Sequence, residues 1–198
     1  MNNLALLKKY KQDPLDVLTN EYQSFMNYLE SINFSIKKAA WGTGKAGRVF
    51  FTIDELSDYF RKIVLDIQDI ILIDIDNIVI QWGHPSSHVL HRDVYRKSNI
   101  TIPLLPVYDP VAFYSDEAKV KGHRFGYADQ PPEQLTYYSY EHPMLLNVCK
   151  QHAVLTSVHT KPRALFQLGW DEITFNDLLI KNPNIWEIVT ETGKQKLS

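Results

Sequence analysis

His91, Arg92 and Asp93 stand together in this chain, and a second histidine, His152, and an arginine, Arg163, follow far downstream. A His-x-Asp pair with a distant histidine is the ligand set of a mononuclear non-haem Fe(II) site. Two imidazoles and one carboxylate take one face of the metal and leave the other positions open for a co-substrate and O2. An arginine one strand beyond the distal histidine has the chemistry to grip the carboxylate of a 2-oxo acid with two parallel hydrogen bonds. If residues 89–95 are extended, alternation puts Val89, His91, Asp93 and Tyr95 on one face. A carboxylate buried beside an imidazole is costly unless a cation shares the site. A surface His–Asp pair on a half-exposed strand would read the same way, so the pair alone decides little.

The elements that must position these residues change character along the chain. Asp13-Pro14 is a helix-start signal, and Leu15, Leu18, Tyr22, Phe25, Met26 and Leu29 follow at helical spacing. A second helix is expected from near Thr52 or Asp54, with Leu56, Tyr59, Phe60, Ile63, Val64 and Ile67 as its apolar stripe. From residue 70 onward, short β-branched and aromatic runs alternate with turn residues. Strands are expected over 70–75, 78–82, 89–95, 99–105, 111–114, 144–148, 153–158 and 163–168, which together describe an antiparallel sandwich or barrel. Residues 115–141, with Gly122, Gly126, Pro131 and Pro132, read as a long excursion of the kind that forms lids and substrate walls. A last helix is expected from Thr174, and residues 191–198 read as a frayed tail.

At 198 residues the chain is expected to form a single domain: a helical N-terminal part over about 1–69, a β core over about 70–170, and a short C-terminal helix and tail over 171–198. The contents of 44% hydrophobic and 22% charged residues are ordinary for a globular protein. A net charge of −2 predicts no binding to nucleic acid or to an anionic membrane. The most apolar stretch, 70–80, is broken by Asp74, Asp76 and Asn77 and cannot span a bilayer. The N-terminus lacks the apolar run of a signal peptide, so a cytoplasmic protein is expected. Cys149, the single cysteine, reads as a small core residue.

Two other patterns point elsewhere. Gly42-Thr43-Gly44-Lys45-Ala46-Gly47 matches a glycine-rich phosphate loop. It runs into the strand-like Arg48-Val49-Phe50-Phe51, whereas a dinucleotide fold needs a helix there. It reads as a turn. His84, His88 and His91 would share one face of a helix, as in a zinc site, but Pro85 and two serines favour a loop.

Further text around the histidines carries a resemblance. In order along the chain stand His91-Arg92-Asp93, Arg96-Lys97, Thr101-Ile102-Pro103-Leu104, Phe113-Tyr114, Pro143-Met144-Leu145-Leu146-Asn147, His152-Ala153-Val154 and Pro162-Arg163. This series, covering about 88–169, resembles the 2-oxoglutarate and Fe(II)-dependent oxygenases, especially their short bacterial and phage-type members. The resemblance implies a mainly β protein, with a double-stranded β-helix core of the jelly-roll or cupin-like kind and N-terminal helices. It implies Fe(II) held by His91, Asp93 and His152, with 2-oxoglutarate and O2 as co-substrates. Arg163 would hold the far carboxylate of 2-oxoglutarate, and Thr101, Asn147 and Tyr95 are candidates to touch it. Arg96 is expected near the mouth, pairing with substrate or an acidic loop residue. Thr101 stands where asparagine is usual, and Leu165 where a serine or threonine often helps the arginine, so co-substrate binding is expected to differ in detail. The implied activity is hydroxylation of a small molecule or a peptide side chain, since Asp93 retains the carboxylate that halogenating relatives lack. The alternative is a cupin-like metal- or ligand-binding module without redox catalysis.

Overall fold

The computed structural model describes residues 4–7, 27, 46–83, 88–104, 111–114, 134–138, 143–154 and 163–188. Its strands are β1 (Leu4–Leu7), β2 (Ala46–Phe51), β3 (Asn77–Gly83), β4 (His88–His91), β5 (Ser98–Pro103), β6 (Val111–Tyr114), β7 (Gln134–Tyr138), β8 (Met144–Leu146), β9 (His152–Val154), β10 (Arg163–Trp170) and β11 (Trp186–Ile188). Helices α1 (Asp58–Ile71) and α2 (Phe175–Lys181) accompany them. Seven strands form one sheet in the order β11-β1-β8-β5-β10-β3-β2, and four form a second in the order β4-β9-β6-β7. Every pairing between them is antiparallel.

Alternation along β10 explains how the layers stack. Phe166 and Leu168 point to one side, into a cluster with Phe60, Ile63, Val64 and Ile67 of α1 and with Phe175 and Leu178 of α2. Leu165 points to the other side, into a cluster with Met144 and Leu146 of its own sheet and with Val111 and Phe113 of the small sheet. The large sheet is therefore a middle layer, helices on one face and the small sheet on the other. Polar residues interrupt the inner face: Thr101 and Asn99 of β5 and Gln167 of β10 are all buried. The register pairs Thr101 with Gln167 and Asn99 with Gly169.

Helix α1 carries the stripe expected for it, with Phe60, Ile63, Val64 and Ile67 buried. Ser57 caps it by accepting from the Phe60 N–H at 3.5 Å. Thr174 and Asp177 form a capping box at α2, where a helix start was expected. The strand expected over 70–75 does not form. Ile70 and Ile71 complete the last turn of α1, and Leu72 ends it in the left-handed conformation, φ 58° and ψ 36°. An isoleucine run fits a helical stripe and a strand equally well, and Ile71 lies four residues after buried Ile67.

The part expected to be helical over 1–69 also contains β1 and β2, which are strands of the large sheet. The first expected helix lies outside the described residues apart from Asn27, which is helical. β7 falls within the expected excursion, as the edge strand of the small sheet beside β6. Residues 42–45 and 84–87, which carry most of the phosphate-loop and zinc patterns, also lie outside the described residues. Cys149 is exposed rather than in the core, because β8 ends at Leu146 and the cysteine falls in the turn that follows.

Candidate metal centre

β4 and β9 are adjacent strands of the small sheet, and their register places His91 opposite His152. Cross-strand partners sit side by side on one face, and the two imidazole rings are 4.3 Å apart between centroids, tilted by 50°. Asp93 lies just past the end of β4. Its backbone N–H donates to the Val148 carbonyl at 3.0 Å, which ties it to the turn leading into β9. The Tyr114 N–H donates to the Gln151 carbonyl at 2.9 Å, fixing the same turn against β6. One ligand atom from each of His91, Asp93 and His152 then lies within 4.8 Å of the other two.

The electrostatics prepare these atoms for a cation. His152 is 7% exposed. Burial, and then the charge of His91, hold its pKa down at about 4, so the ring is neutral at pH 7. Its Nδ1 is 2.9 Å from the Lys150 carbonyl, which can only accept. The ring therefore carries its proton on Nδ1 and leaves the Nε2 lone pair for a metal. Burial by itself would raise the Asp93 pKa. A hydrogen bond from His91 and the charges of Arg96, His152 and His91 outweigh it and hold the carboxyl well below the usual range.

Arg96 decides how the carboxylate is presented. Its Nε and Nη2 donate to Asp93 Oδ2 at 3.0 and 2.6 Å, and its Nη1 donates to Gln167 Oε1 of the large sheet at 3.2 Å. Oδ1 is left facing His91 Nε2 at 3.6 Å. One oxygen is thus taken by the guanidinium and the other is available for single-oxygen ligation. Arg96 is buried, so it is not the residue at the mouth expected from the sequence. Room for it comes from Gly169, where a Cβ would stand 2.8 Å from Arg96 Cδ.

The other expected site residues are distributed differently. Thr101 is buried on the inner face, and its Oγ1 accepts from Asn99 Nδ2 at 3.1 Å, which leaves the hydroxyl proton free to donate elsewhere. The buried Asn99 Oδ1 has no hydrogen-bond partner among the described residues. Arg163 opens β10 at a register position shared with Leu165 and Gln167, opposite Gly83 of β3, while its side chain lies outside the description. Leu165 is packed in the apolar cluster between the sheets. Tyr95 is 81% exposed, a correction to its expected inward position on one face with His91 and Asp93: β4 stops at His91, so the alternation that would have turned Tyr95 inward ends before it. Asn147 is half-buried in the turn after β8, where its carbonyl accepts from the Lys150 N–H. Arg48 of β2 was missed by sequence reasoning. It is part-buried and donates from Nη2 to Gln81 Oε1 at 3.2 Å.

No protein-family model matches this sequence, and no curated protein matches it. Solved structures do resemble it. The fold is similar to that of SnoK, a non-heme alpha ketoglutarate dependent carbocyclase from nogalamycin biosynthesis, with a TM-score of 0.57 and 14% identity over 85% of this chain and 79% of that one. It is also similar to that of SnoN, a non-heme alpha ketoglutarate dependent epimerase from the same biosynthesis, with a TM-score of 0.56 and 10% identity over 85% of this chain and 78% of that one. SnoN in complex with Fe3+, alpha ketoglutarate and nogalamycin RO matches at a TM-score of 0.56 and 11% identity. The chain thus has a fold shared with non-heme alpha-ketoglutarate-dependent enzymes, with a His-Asp-His cluster in it.

Proposed function

We propose that the chain is an Fe(II)- and 2-oxoglutarate-dependent oxygenase, with a double-stranded β-helix core, that hydroxylates a small molecule or a peptide side chain. The observation that carries this reading is the convergence of His91, Asp93 and His152 within 4.8 Å. The donor set fits iron: two imidazoles and one carboxylate oxygen are the donor types of a two-histidine, one-carboxylate iron site. When bound, iron with 2-oxoglutarate and O2 would supply oxidative decarboxylation to succinate and CO2, coupled to conversion of a C–H bond to C–OH.

This chain's residues would do the holding. The hydrogen bond to the Lys150 carbonyl orients the His152 ring, and Arg96 keeps Asp93 turned with Oδ1 forward. Arg163 and Thr101 are assigned to the carboxylates of 2-oxoglutarate. Phe113, whose ring centroid is 5.8 Å from that of His152, keeps water from the buried side of the imidazole. The structural neighbours include a carbocyclase and an epimerase, so the outcome at the substrate needs its own measurement.

The test is anaerobic addition of Fe(II) and 2-oxoglutarate. Chelation of iron by the keto acid gives a weak visible charge-transfer band, expected in the parent protein and lost in His152→Ala. Succinate release on admitting O2 is expected to follow the same pattern. A parent protein that binds Fe(II) yet develops no band and releases no succinate would instead be a cupin-like binding module. A product heavier by one oxygen atom distinguishes hydroxylation from ring closure or epimerisation.

A further inference from the structure

Among the described side chains, two guanidinium groups meet the inner face of the large sheet, Arg48 of β2 and Arg96, which reaches Gln167 from the loop before β5, and they do not have equal partners. Arg96 is paired with the Asp93 carboxylate. Arg48 stands on the edge strand β2 opposite Gln81, which in turn stands opposite Leu165. Its hydrogen bond goes to the Gln81 amide oxygen, a neutral acceptor. Burial, and then the like charge of Arg96, lower its pKa, while the charge of Asp93, a member of the candidate metal cluster, acts in the opposite direction. Asp93 is already shared by Arg96 and His91. Among the described residues, no carboxylate remains for Arg48.

A part-buried guanidinium held by one neutral hydrogen bond is an incomplete arrangement, because five N–H donors and a full positive charge call for an anion. A divalent cation at the nearby cluster would add two more positive charges to the same space. The planar fork matches a carboxylate better than a spherical anion. Phe50, the next residue of β2 on that face, is 60% exposed.

Resting on the oxygenase reading for its setting, we propose that Arg48, braced by Gln81, is a carboxylate-binding residue on the inner face of the large sheet, separate from the position of Arg163. The carboxylate it takes has two possible sources, the co-substrate 2-oxoglutarate and an organic acid substrate. Register places Arg48 two strands across from β10 and two rungs along from the Arg163–Gly83 pair, so the two arginines can serve different carboxylates.

The experiment compares the parent protein, Arg48→Gln, Arg48→Lys and Arg163→Gln, each loaded with Mn(II). 2-Oxoglutarate is titrated by calorimetry. Acetate is titrated into the Mn(II)–2-oxoglutarate complex, and the broadening of its methyl proton signal by Mn(II) is read. If the source is the co-substrate, Arg48→Gln raises the 2-oxoglutarate Kd roughly 30-fold or more, with Mn(II) affinity unchanged. If the source is the substrate, 2-oxoglutarate binding stays at the parental value and the acetate broadening is lost. Arg48→Lys keeps the charge without the fork, so an intermediate loss is expected, and it serves as the test if Arg48→Gln does not fold. Parental behaviour of the Arg48 variants in both titrations overturns the proposal. A parent protein that binds no Mn(II) removes the metal-centre reading instead, and 2-oxoglutarate and acetate titrated without metal then decide Arg48 by the same comparison.

Discussion

Arg96 presents two nitrogens to one oxygen of Asp93 and a third to Gln167, so removing the guanidinium strands a carboxylate and an amide inside the protein. Arg96→Leu is expected to weaken Mn(II) binding by about 10- to 100-fold, as loss of a partner behind a metal ligand typically does. It should also lower the unfolding free energy of the metal-free protein by roughly 3–5 kcal/mol. A folded Arg96→Leu with parental Mn(II) affinity would show that Asp93 keeps its orientation unaided. His152 adds a pH dependence whose sign follows from its depressed pKa. Folded, the ring titrates at about 4, against 6.5 for the free side chain. Between those values the unfolded chain holds a proton that the folded chain does not. Stability of the metal-free protein therefore falls as pH drops from about 6.5 to about 4, by up to about 3 kcal/mol. Asp93 extends the loss further into acid, below its ordinary 3.8, because its folded pKa is also depressed. Urea midpoints at several pH values check this, and His152→Gln should flatten the slope between about pH 6.5 and about pH 4. The three residues of the cluster were legible from residue type together with the resemblance of the text around them, and the structure brings them together. The role of Arg48 was not legible, nor was the anchoring of Arg96 to the large sheet, since each depends on a partner distant in sequence, Gln81 and Gln167.

Helix α1 shows what a sequence pattern decides and what it leaves to local geometry. Its apolar stripe and the Ser57 cap were readable, but its end was not, because Ile70 and Ile71 satisfy both a helical and a strand period. The chain resolves this at Leu72, which takes a left-handed conformation as its N–H donates to the Gln68 carbonyl at 2.6 Å. Glycine is the usual occupant of such a position, since a Cβ there crowds the neighbouring carbonyl by about 1–2 kcal/mol. Leu72 is exposed and contributes no core packing in return. Leu72→Gly is therefore expected to raise the stability by about 0.5–1 kcal/mol, after the entropy glycine loses on folding, with Mn(II) affinity unchanged. A thermal melt that falls would show that the turn is held by something other than relief at this φ. β7 and β11 escaped notice for a different reason. Each is short and stands at the margin of its sheet, paired with β6 and β1 respectively, so pairing rather than its own pattern defines it.

The candidate centre spans two layers. His91 and His152 come from the small sheet, while Asp93 is anchored through Arg96 to Gln167 of the large sheet. The spacing of those layers is set by the cluster of Leu165, Met144 and Leu146 against Val111 and Phe113, and Phe113 also lies against the His152 ring. That two faces of apolar residues would pack was legible from strand alternation. That the support of the cluster would be divided between the layers, through Arg96 and Gln167, was not, because sheet membership is fixed by pairings with no local code. The division makes a prediction about coupling. Leu165→Ala should cost about 2–5 kcal/mol by opening a cavity between the sheets. It should also weaken Mn(II) binding, because relaxation into the cavity shifts the imidazoles relative to Asp93. Ile67→Ala removes comparable volume from the other cluster, between α1 and the large sheet, and should cost a similar amount of stability with Mn(II) affinity intact. Thermal melts with and without saturating Mn(II) read both effects, since a metal that binds only the folded chain raises its melting temperature in proportion to the logarithm of its affinity. Equal loss of the Mn(II) increment in the two variants would show that the centre responds to overall stability. A loss confined to Leu165→Ala would place the control of the centre in the distance between its two sheets.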